Sequence, residues 1–413
     1  MRKRLGTIGF RLNEEHLKLI RTADRIHRFP AKMSPRLAYL FLAKISTKDQ
    51  EANGKIRFCD PMCGSGTIAL AARTLGFSSY AADIMYPAFI ITSAKIHRLS
   101  SILLSDLGSA SESIQVSEKR KPLWLWENWQ IWHRQNVIRA LQDIGKTIFE
   151  FRSRRFFPHL VTAFFQTIWD TSSADPGVIV PTRSGFSPCS PWLSSKRVLS
   201  VFRSRLQRVL EAQTALAALE ISSGVPDVRQ SNAIDEDSWP SSKFEIILTS
   251  PPYGCGIDYE RAFRLQMRLW NHFVDRTQET NLQLLGRRTN LNMSHEVNLP
   301  NSEQDSKWFR RVRNGDPDRV RMFLQYLHDL RLFVLICSRR LSRYGRLGLV
   351  VGEPQIARTT VPLERIVTRF AEDAGLTLDE PPQYDMICTR IQNFRLRSAS
   401  SPIGRECLLT FKS

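Results

Sequence analysis

The seven cysteines of this 413-residue sequence lack the spacing of a disulfide framework or a metal site. They stand at Cys59, Cys63, Cys189, Cys255, Cys337, Cys388 and Cys407, and no Cys-x-x-Cys pair occurs. No histidine follows them at zinc spacing. An odd number of scattered cysteines is typical of reduced intracellular thiols. The sequence therefore predicts neither structural disulfides nor a bound metal.

Long apolar runs are also absent. No uninterrupted apolar stretch reaches the roughly 18 residues that a membrane-spanning helix needs. Residues 1–10 are basic but lack the apolar centre of a secretory signal. We therefore expect neither secretion nor membrane insertion, and expect a cytoplasmic protein.

Acidic residues are too few to balance the basic ones. Lysine and arginine number 59 against 40 aspartates and glutamates, which gives a formal net charge of +19. This excess favours a polyanionic partner, because contacts with phosphates release condensed counterions. A basic surface that is only solvated has the same composition, so charge alone leaves the partner open.

Residues 246–253 combine a buried strand with a stiff polar loop. They read Ile-Ile-Leu-Thr-Ser-Pro-Pro-Tyr. The apolar run is typical of a strand buried on both faces, and the two prolines end it. Ser250 and the proline carbonyls are acceptors, and the Tyr253 ring is flat, so the loop can hold an exocyclic amino group while the ring stacks on its base. The alternative is a strand followed by an ordinary turn.

A strand, a glycine loop and a helix are predicted upstream, over residues 56–72. The loop reads Asp60-Pro61-Met62-Cys63-Gly64-Ser65-Gly66-Thr67. Glycines allow positive φ and close approach of a ligand, and a helix start offers unpaired N–H groups. The pattern lacks the lysine of a phosphate-binding P-loop. It therefore predicts a nucleoside-cofactor site.

Asp83 ends the next predicted strand, in Tyr80-Ala81-Ala82-Asp83-Ile84. A carboxylate there can accept a hydrogen bond from each hydroxyl of a ribose, and Ile84 can cover one face of the adenine. Alone, Asp83 is equally typical of a turn or a helix cap. The glycine loop upstream favours the ribose role.

These motifs together resemble those of the amino-group DNA methyltransferases. Residues 249–253, Thr-Ser-Pro-Pro-Tyr, resemble their catalytic loop in the serine form usual for methylation of cytosine N4. Residues 60–67 resemble their S-adenosylmethionine loop, and the resemblance runs from His27 to Arg397 apart from residues 100–230. It implies S-adenosylmethionine as cofactor, double-stranded DNA with a flipped base as substrate, and a cognate restriction endonuclease as partner.

The resemblance also assigns roles to matching residues. The catalytic loop would consist of Ser250, Pro251, Pro252 and Tyr253. The cofactor would be bound by Asp60, Pro61, Cys63, Gly64, Ser65, Gly66, Thr67, Asp83, Ile84, Asn232 and Thr249. At Asn232 the family commonly has an acidic residue, and the amide keeps an acceptor oxygen without the charge.

Arginines cluster beyond the catalytic loop. Arg261, Arg264 and Arg268 fall on one face of a predicted helix over residues 258–273. Arg287 and Arg288 begin a polar, arginine-rich segment, residues 286–318, which we interpret as mobile until nucleic acid binds. These five arginines are candidate DNA contacts, although such stripes are also common on solvated helix faces.

The expected fold is α/β, the class I S-adenosylmethionine-dependent methyltransferase (Rossmann-like) fold. It has a mainly parallel seven-stranded sheet with helices on both sides. We expect residues 1–99 to form the N-terminal segment and the cofactor half, and residues 228–413 the catalytic half. Residues 100–227 are predicted to be a mostly helical basic insertion, either a target-recognition region or a helical cap. Its polar start, residues 100–115, predicts a loop.

The predicted reaction is methyl transfer from S-adenosylmethionine to N4 of a flipped cytosine in a specific DNA sequence. Adenine N6 is an alternative target, because the same loop can present either amino group. RNA is an alternative substrate, since a basic surface does not separate it from DNA. A nucleic-acid-binding protein that kept the fold without activity is the alternative from another class, and the intact motifs argue against it.

Overall fold

The computed structural model describes residues 13–30, 32–46, 56–117, 126–182, 193–219, 224–254, 258–274, 285, 306–315, 317–356, 358–386 and 405–413. The helices are α1 (Glu14–Asp24), α2 (Pro35–Ser46), α3 (Thr67–Thr74), α4 (Tyr86–Ile96), α5 (Ser101–Ser113), α6 (Gln135–Glu150), α7 (Phe157–Asp170), α8 (Ser195–Ala218), α9 (Tyr259–Trp270), α10 (Lys307–Arg313), α11 (Pro317–Arg340) and α12 (Leu363–Asp373). The strands are β1 (Arg57–Asp60), β2 (Ser78–Asp83), β3 (Asp227–Gln230), β4 (Phe244–Thr249), β5 (Leu341–Gly352), β6 (Gln355–Ile356), β7 (Thr359–Thr360), β8 (Thr377–Leu378), β9 (Gln383–Met386) and β10 (Arg405–Lys412).

Eight strands form one sheet in the order β3-β2-β1-β4-β5-β10-β8, with β9 also paired to β10. The pairs from β3 to β5 are parallel, and β10 runs antiparallel to β5, β8 and β9. A mainly parallel sheet with an antiparallel strand near its end is the class I methyltransferase fold, as the sequence predicts. The short β9 adds one strand to the seven expected.

The order of the strands reverses between β1 and β4. The sheet continues from β1 through β2 and β3 on one side, and through β4 and β5 on the other. Such a switch point leaves a crevice at the carboxyl ends of the strands, where open α/β sheets bind ligands. Since β1 ends at Asp60 and β4 ends at Thr249, the two predicted motifs lie on either side of this crevice.

Strand β4 separates two apolar layers. Ile246 and Leu248 pack into one layer, with the helices of the first half of the chain. Ile247 packs into the other layer, with residues of α11 and α12. All three side chains are fully buried. The apolar run before the Ser-Pro-Pro-Tyr loop is therefore a strand buried on both faces, which fixes the start of that loop.

The inserted helices α6, α7 and α8 belong to the same core as the sheet. At its centre is Trp270, the last residue of α9, which is fully buried. Its ring lies 5.7 Å from that of Phe165, 6.1 Å from Phe164 and 5.9 Å from Phe157, all on α7, and 6.4 Å from Tyr86 on α4. Helix α9, which follows the catalytic loop, is thus anchored on the insertion.

Two local expectations differ from the structure. Residues 101–113 form helix α5 rather than a loop, capped by the Ser100 hydroxyl, which accepts from the Leu103 N–H. Within the segment 286–318, residues 307–313 form helix α10, whose Trp308, Phe309 and Val312 side chains are buried. Apolar residues on one face therefore order this part of a segment that composition marks as polar. None of the helices in the described ranges is long and apolar enough to cross a membrane.

We expect Trp270→Ala to lower the free energy of unfolding by about 3–5 kcal/mol, because it leaves a large cavity among packed rings. Unfolding in urea, followed by circular dichroism, should remain one transition because the insertion and the sheet share this core. Trp129→Ala is the control, since Trp129 is only partly buried against the same core and should cost less. Two separate transitions, or equal losses in both variants, would contradict the shared core.

Candidate active site

The loop after β1 depends on two glycines with left-handed backbones. Gly64 has φ 50° and Gly66 has φ 74°. A Cβ atom on Gly66 would lie 2.7 Å from Thr92 Oγ1 and 3.1 Å from Thr92 Cα, and one on Gly64 would lie 3.3 Å from the Phe29 ring. Both the conformation and the space therefore require glycine at Gly66. The loop turns back on itself beside the crevice, where the Gly66 N–H donates to the Cys63 carbonyl over 2.7 Å.

Asp83, at the end of β2, holds this loop in place. Its Oδ2 accepts from the Gly64 N–H over 2.9 Å, and its Oδ1 accepts from the Met85 N–H over 2.9 Å. Burial raises the pKa of Asp83 to about 6, against the opposing effect of these two hydrogen bonds. A carboxylate offers about four lone-pair sites, so about two remain for a ligand.

Asp60 and Thr249 join the ends of β1 and β4. The Thr249 hydroxyl donates to Asp60 Oδ1 over 2.7 Å, and both side chains are fully buried. Asp60 Oδ2 is buried and makes no hydrogen bond within the described part of the chain. Burial raises the pKa of Asp60 to about 7; the Thr249 hydrogen bond and the nearby Met62 N–H oppose this rise, and the charge of Asp83 adds to it. An unused acceptor therefore stands at the switch point.

The Ser-Pro-Pro-Tyr loop contains a chain of three polar side chains. Ser250 Oγ and the Tyr253 hydroxyl oxygen are 2.8 Å apart, and the Tyr253 hydroxyl donates to Glu406 Oε1 over 2.9 Å. Burial, followed by the charge of Glu406, raises the pKa of Tyr253 well above its usual range. Tyr253 therefore stays protonated. No sequence motif marks Glu406, which lies 153 residues from Tyr253.

Asp24, at the end of α1, is a second residue that the sequence did not reveal. It accepts from the Thr67 hydroxyl over 3.0 Å, at the start of the helix that follows the glycine loop. It also pairs with Lys95 at 3.0 Å and with Lys32 at 3.2 Å. Burial lowers the pKa of Lys95 to about 8, although Asp24 acts against this. The N-terminal segment therefore fixes the start of α3.

The other predicted cofactor residues differ in the contacts that they make within the protein. Cys63 is buried, and its thiol donates to Thr92 Oγ1 over 3.4 Å. Ile84 is partly buried against the cluster that contains Phe29 and Phe263. The Asn232 side-chain oxygen accepts from the Ile234 N–H over 3.2 Å, so its acceptor already serves a turn after β3.

Remaining members of the predicted set lie beside the loop. Pro61 is buried, and the hydroxyls of Ser65 and Thr67 are 2.9 Å apart. In the catalytic loop, Pro251 is buried and Pro252 is partly exposed. The structure thus brings the glycine loop, Asp83, Asp60 and the Ser-Pro-Pro-Tyr loop to one edge of the sheet.

The arginines of α9 have unequal surroundings. Arg261 and Arg268 are exposed. Arg264 is partly buried, with its guanidinium 4.8 Å from the centre of the Trp132 ring and donating to the Pro181 carbonyl over 3.0 Å. Arg264 therefore ties α9 to the insertion, while the other two face solvent. Arg287 and Arg288 lie outside the described residues.

Comparisons with known proteins agree with this architecture. The family model for the RMKL-like methyltransferase domain matches residues 23–109, which include α2, the glycine loop and Asp83. The chain is 22% identical to the Type II methyltransferase M.MvaI of Kocuria varians, over 95% of this chain and 90% of that protein. The class of protein that these findings define is a methyltransferase, and the matched family and the fold imply S-adenosylmethionine as its donor.

Among solved structures, the chain matches an rRNA methyltransferase, aviRa from Streptomyces viridochromogenes. One structure of it has a TM-score of 0.33 at 10% identity, covering 97% of this chain and 94% of that chain. A second has a TM-score of 0.31 at 12% identity, covering 97% and 93%. Likeness at this level adds nothing to the fold assignment, which rests on the order of the strands.

Asp60→Asn should make the stability of the protein less sensitive to pH. The folded-state pKa of Asp60, about 7, lies above its ordinary value of 3.8. Its contribution to stability is therefore present at acid pH and is lost as the pH rises through about 7. Between about pH 5 and about pH 8, we expect wild type to lose roughly 2–4 kcal/mol more than Asp60→Asn, measured by urea unfolding.

Asp106→Asn is the control for this experiment, since Asp106 is an exposed residue of α5. It should keep the wild-type dependence on pH. The asparagine at position 60 retains an oxygen for Thr249, so the β1–β4 connection survives the change. Equal pH dependence of stability in wild type and Asp60→Asn would show that the pKa of Asp60 is not raised in the folded protein.

Proposed function

We propose that this protein transfers a methyl group from S-adenosylmethionine to the exocyclic amino group of a flipped base in DNA, with cytosine N4 as the preferred target. One observation carries the proposal. The glycine loop and the Ser-Pro-Pro-Tyr loop leave neighbouring parallel strands and are joined by the Thr249–Asp60 hydrogen bond of 2.7 Å. A cofactor on the first loop and a base on the second would therefore meet at the crevice.

The residues around the glycine loop fit S-adenosylmethionine. Asp83 keeps lone pairs for the ribose hydroxyls beyond the two backbone hydrogen bonds that it accepts. Asp60 Oδ2 is an unsatisfied buried acceptor, which a positively charged ammonium group would complement. Ile84 borders the site with an apolar side chain suited to an adenine face. Asn232 is the weakest member, since its acceptor oxygen already serves a turn.

The catalytic loop supplies acceptors for an amino group. The nitrogen of a cytosine amino group is a poor nucleophile, because its lone pair is delocalised into the ring. Ser250 Oγ and the Pro251 carbonyl would accept from the amino protons and draw that lone pair out of conjugation, while Tyr253 stacks on the base. When bound, the cofactor would supply an electrophilic methyl group. The amino nitrogen would form a bond to this methyl group as the methyl–sulfur bond breaks, and one amino proton would pass to solvent water.

DNA as substrate is supported by charge and by one relative. The chain carries a formal net charge of +19. Arg261 and Arg268 are exposed on the helix that follows the catalytic loop, where they would contact phosphates beside a flipped nucleotide. Flipping requires a few kcal/mol, which such contacts would help to offset. The similarity to a Type II methyltransferase supports a restriction-modification role, with a cognate endonuclease as partner.

Adenine N6 is the second candidate target. Its exocyclic amino group offers the same two protons to Ser250 and Pro251, so the acceptors alone do not separate it from cytosine. The serine at position 250 supports cytosine through the resemblance of the loop.

Nucleoside mass spectrometry tests the proposal. Purified protein is incubated with methyl-labelled S-adenosylmethionine and either mixed-sequence duplex DNA or total RNA, and each nucleic acid is then digested. We expect labelled N4-methylcytosine from DNA. N6-methyladenine would keep the reaction and change the base, and label in RNA alone would contradict DNA as substrate. No labelled nucleoside from either pool would contradict the proposed activity.

Tyr253→Ala separates the base pocket from the cofactor site in the same assay. Stacking of a base on an aromatic ring contributes about 1–3 kcal/mol, so turnover should fall roughly tenfold to a hundredfold. Affinity for S-adenosylmethionine should stay near wild type. Equal losses of turnover and cofactor affinity would contradict the assignment of Tyr253 to the base pocket.

A further inference from the structure

We infer that Glu406 is a positioning residue that fixes the direction of the Ser250–Tyr253 hydrogen bond, and so makes Ser250 an acceptor toward the substrate. The inference rests on the proposed transfer to an amino group, and extends it to a residue outside every motif. It concerns one chain of contacts, from Ser250 Oγ to the Tyr253 hydroxyl at 2.8 Å and on to Glu406 Oε1 at 2.9 Å.

The fold explains how a residue so far along the chain reaches the catalytic loop. Strand β10 runs antiparallel to β5, with Glu406 opposite Gly352 near the carboxyl end of β5. The beginning of β10 therefore lies at the same edge of the sheet as the ends of β4 and β5. Glu406 and Tyr253 are brought together by this single reversed strand.

The direction of the hydrogen bonds follows from the donors available. An ionised carboxylate can only accept, so the one hydroxyl proton of Tyr253 points to Glu406. Tyr253 then has no proton left for Ser250. The Ser250 hydroxyl must therefore donate to the Tyr253 oxygen, which leaves the lone pairs of Ser250 Oγ for another donor. Burial and the charge of Glu406 raise the pKa of Tyr253, which keeps its proton in place.

This arrangement suits an amino group and disfavours a carbonyl. An amino group brings protons to the Ser250 lone pairs, whereas a keto oxygen would place two acceptors against each other. In the opposite orientation Ser250 would be free to donate, and the loop would hold either group. Glu406 therefore contributes to selection of amino-bearing bases although it need not touch the base. The negative charge of Glu406 also strengthens the Tyr253 and Ser250 oxygens as hydrogen-bond acceptors.

A double-mutant cycle between Glu406 and Tyr253 tests the inference. Glu406→Gln, Tyr253→Phe and the double variant are assayed for methyl transfer to duplex DNA. We expect Glu406→Gln to lower kcat about tenfold or more with an unchanged KM for S-adenosylmethionine, as for loss of a charge-assisted hydrogen bond. Tyr253→Phe keeps the ring and should show a comparable loss. The double variant should have the same kcat as Tyr253→Phe alone, because removal of the Tyr253 hydroxyl already breaks the connection between Glu406 and Ser250.

Glu112→Gln is the matched control, since Glu112 is an exposed carboxylate on α5 and should keep the wild-type kcat. A Glu406→Gln enzyme with the wild-type kcat would overturn the inference. So would losses that multiply in the double variant, because Glu406 would then act independently of the Tyr253 hydroxyl.

A measurement without turnover separates this inference from the proposed function. Protein labelled with 13C at the tyrosine ζ carbon gives one NMR signal for Tyr253, assigned by its disappearance in Tyr253→Phe. That signal should shift in Glu406→Gln and in Ser250→Ala, and stay unchanged in Glu112→Gln. A Tyr253 signal that moves in neither variant overturns the hydroxyl chain. If wild type methylates no amino group while the signal shifts as expected, the proposed function is wrong, and the Ser250–Tyr253–Glu406 hydrogen bonds are still supported.

Discussion

The hydrogen bond between Thr249 and Asp60 crosses the switch point on which the site depends. It joins two strands that are neighbours in the sheet but separated in sequence by the whole insertion, and the two partners are 189 positions apart. Parallel neighbours deliver their following loops to one edge. Any cofactor held after β1 and any base held after β4 must therefore lie side by side. The apolar layers on both faces of β4 keep this geometry rigid.

Two acidic side chains with raised pKa values lie at this edge of the sheet. Burial raises the pKa of both Asp60 and Asp83, to about 7 and about 6. Their ionised forms therefore cost folding free energy at neutral pH. Acceptors kept in an unfavourable environment are common where a ligand later provides the partner. A positively charged methyl donor with a ribose would satisfy both, which links the electrostatics of the crevice to the proposed reaction.

The core of the site can be predicted from the sequence because short local motifs mark it. The glycine loop, Asp83 and the Ser-Pro-Pro-Tyr loop each stand at the end of a strand that the sequence predicts, and parallel strands bring such ends together. Glu406 and Asp24 were not predictable, because their contacts join distant segments and no spacing records them. Helix α5 was missed because its residues are mostly polar and only Leu107 and Ala110 are buried. Its stability depends on a cap and on tertiary packing.

We expect S-adenosylmethionine to bind in the crevice beside the glycine loop, and calorimetric titration of the purified protein with this cofactor measures that binding without turnover. Wild type should bind one molecule per chain. Asp83→Ala should raise Kd about tenfold or more, as for loss of a charge-assisted contact of about 1.5 kcal/mol. The exposed-residue variant Asp106→Ala should bind as wild type does. Absence of binding by wild type would show that the crevice is not a cofactor site, and an unchanged Kd in Asp83→Ala would show that Asp83 does not contact the cofactor.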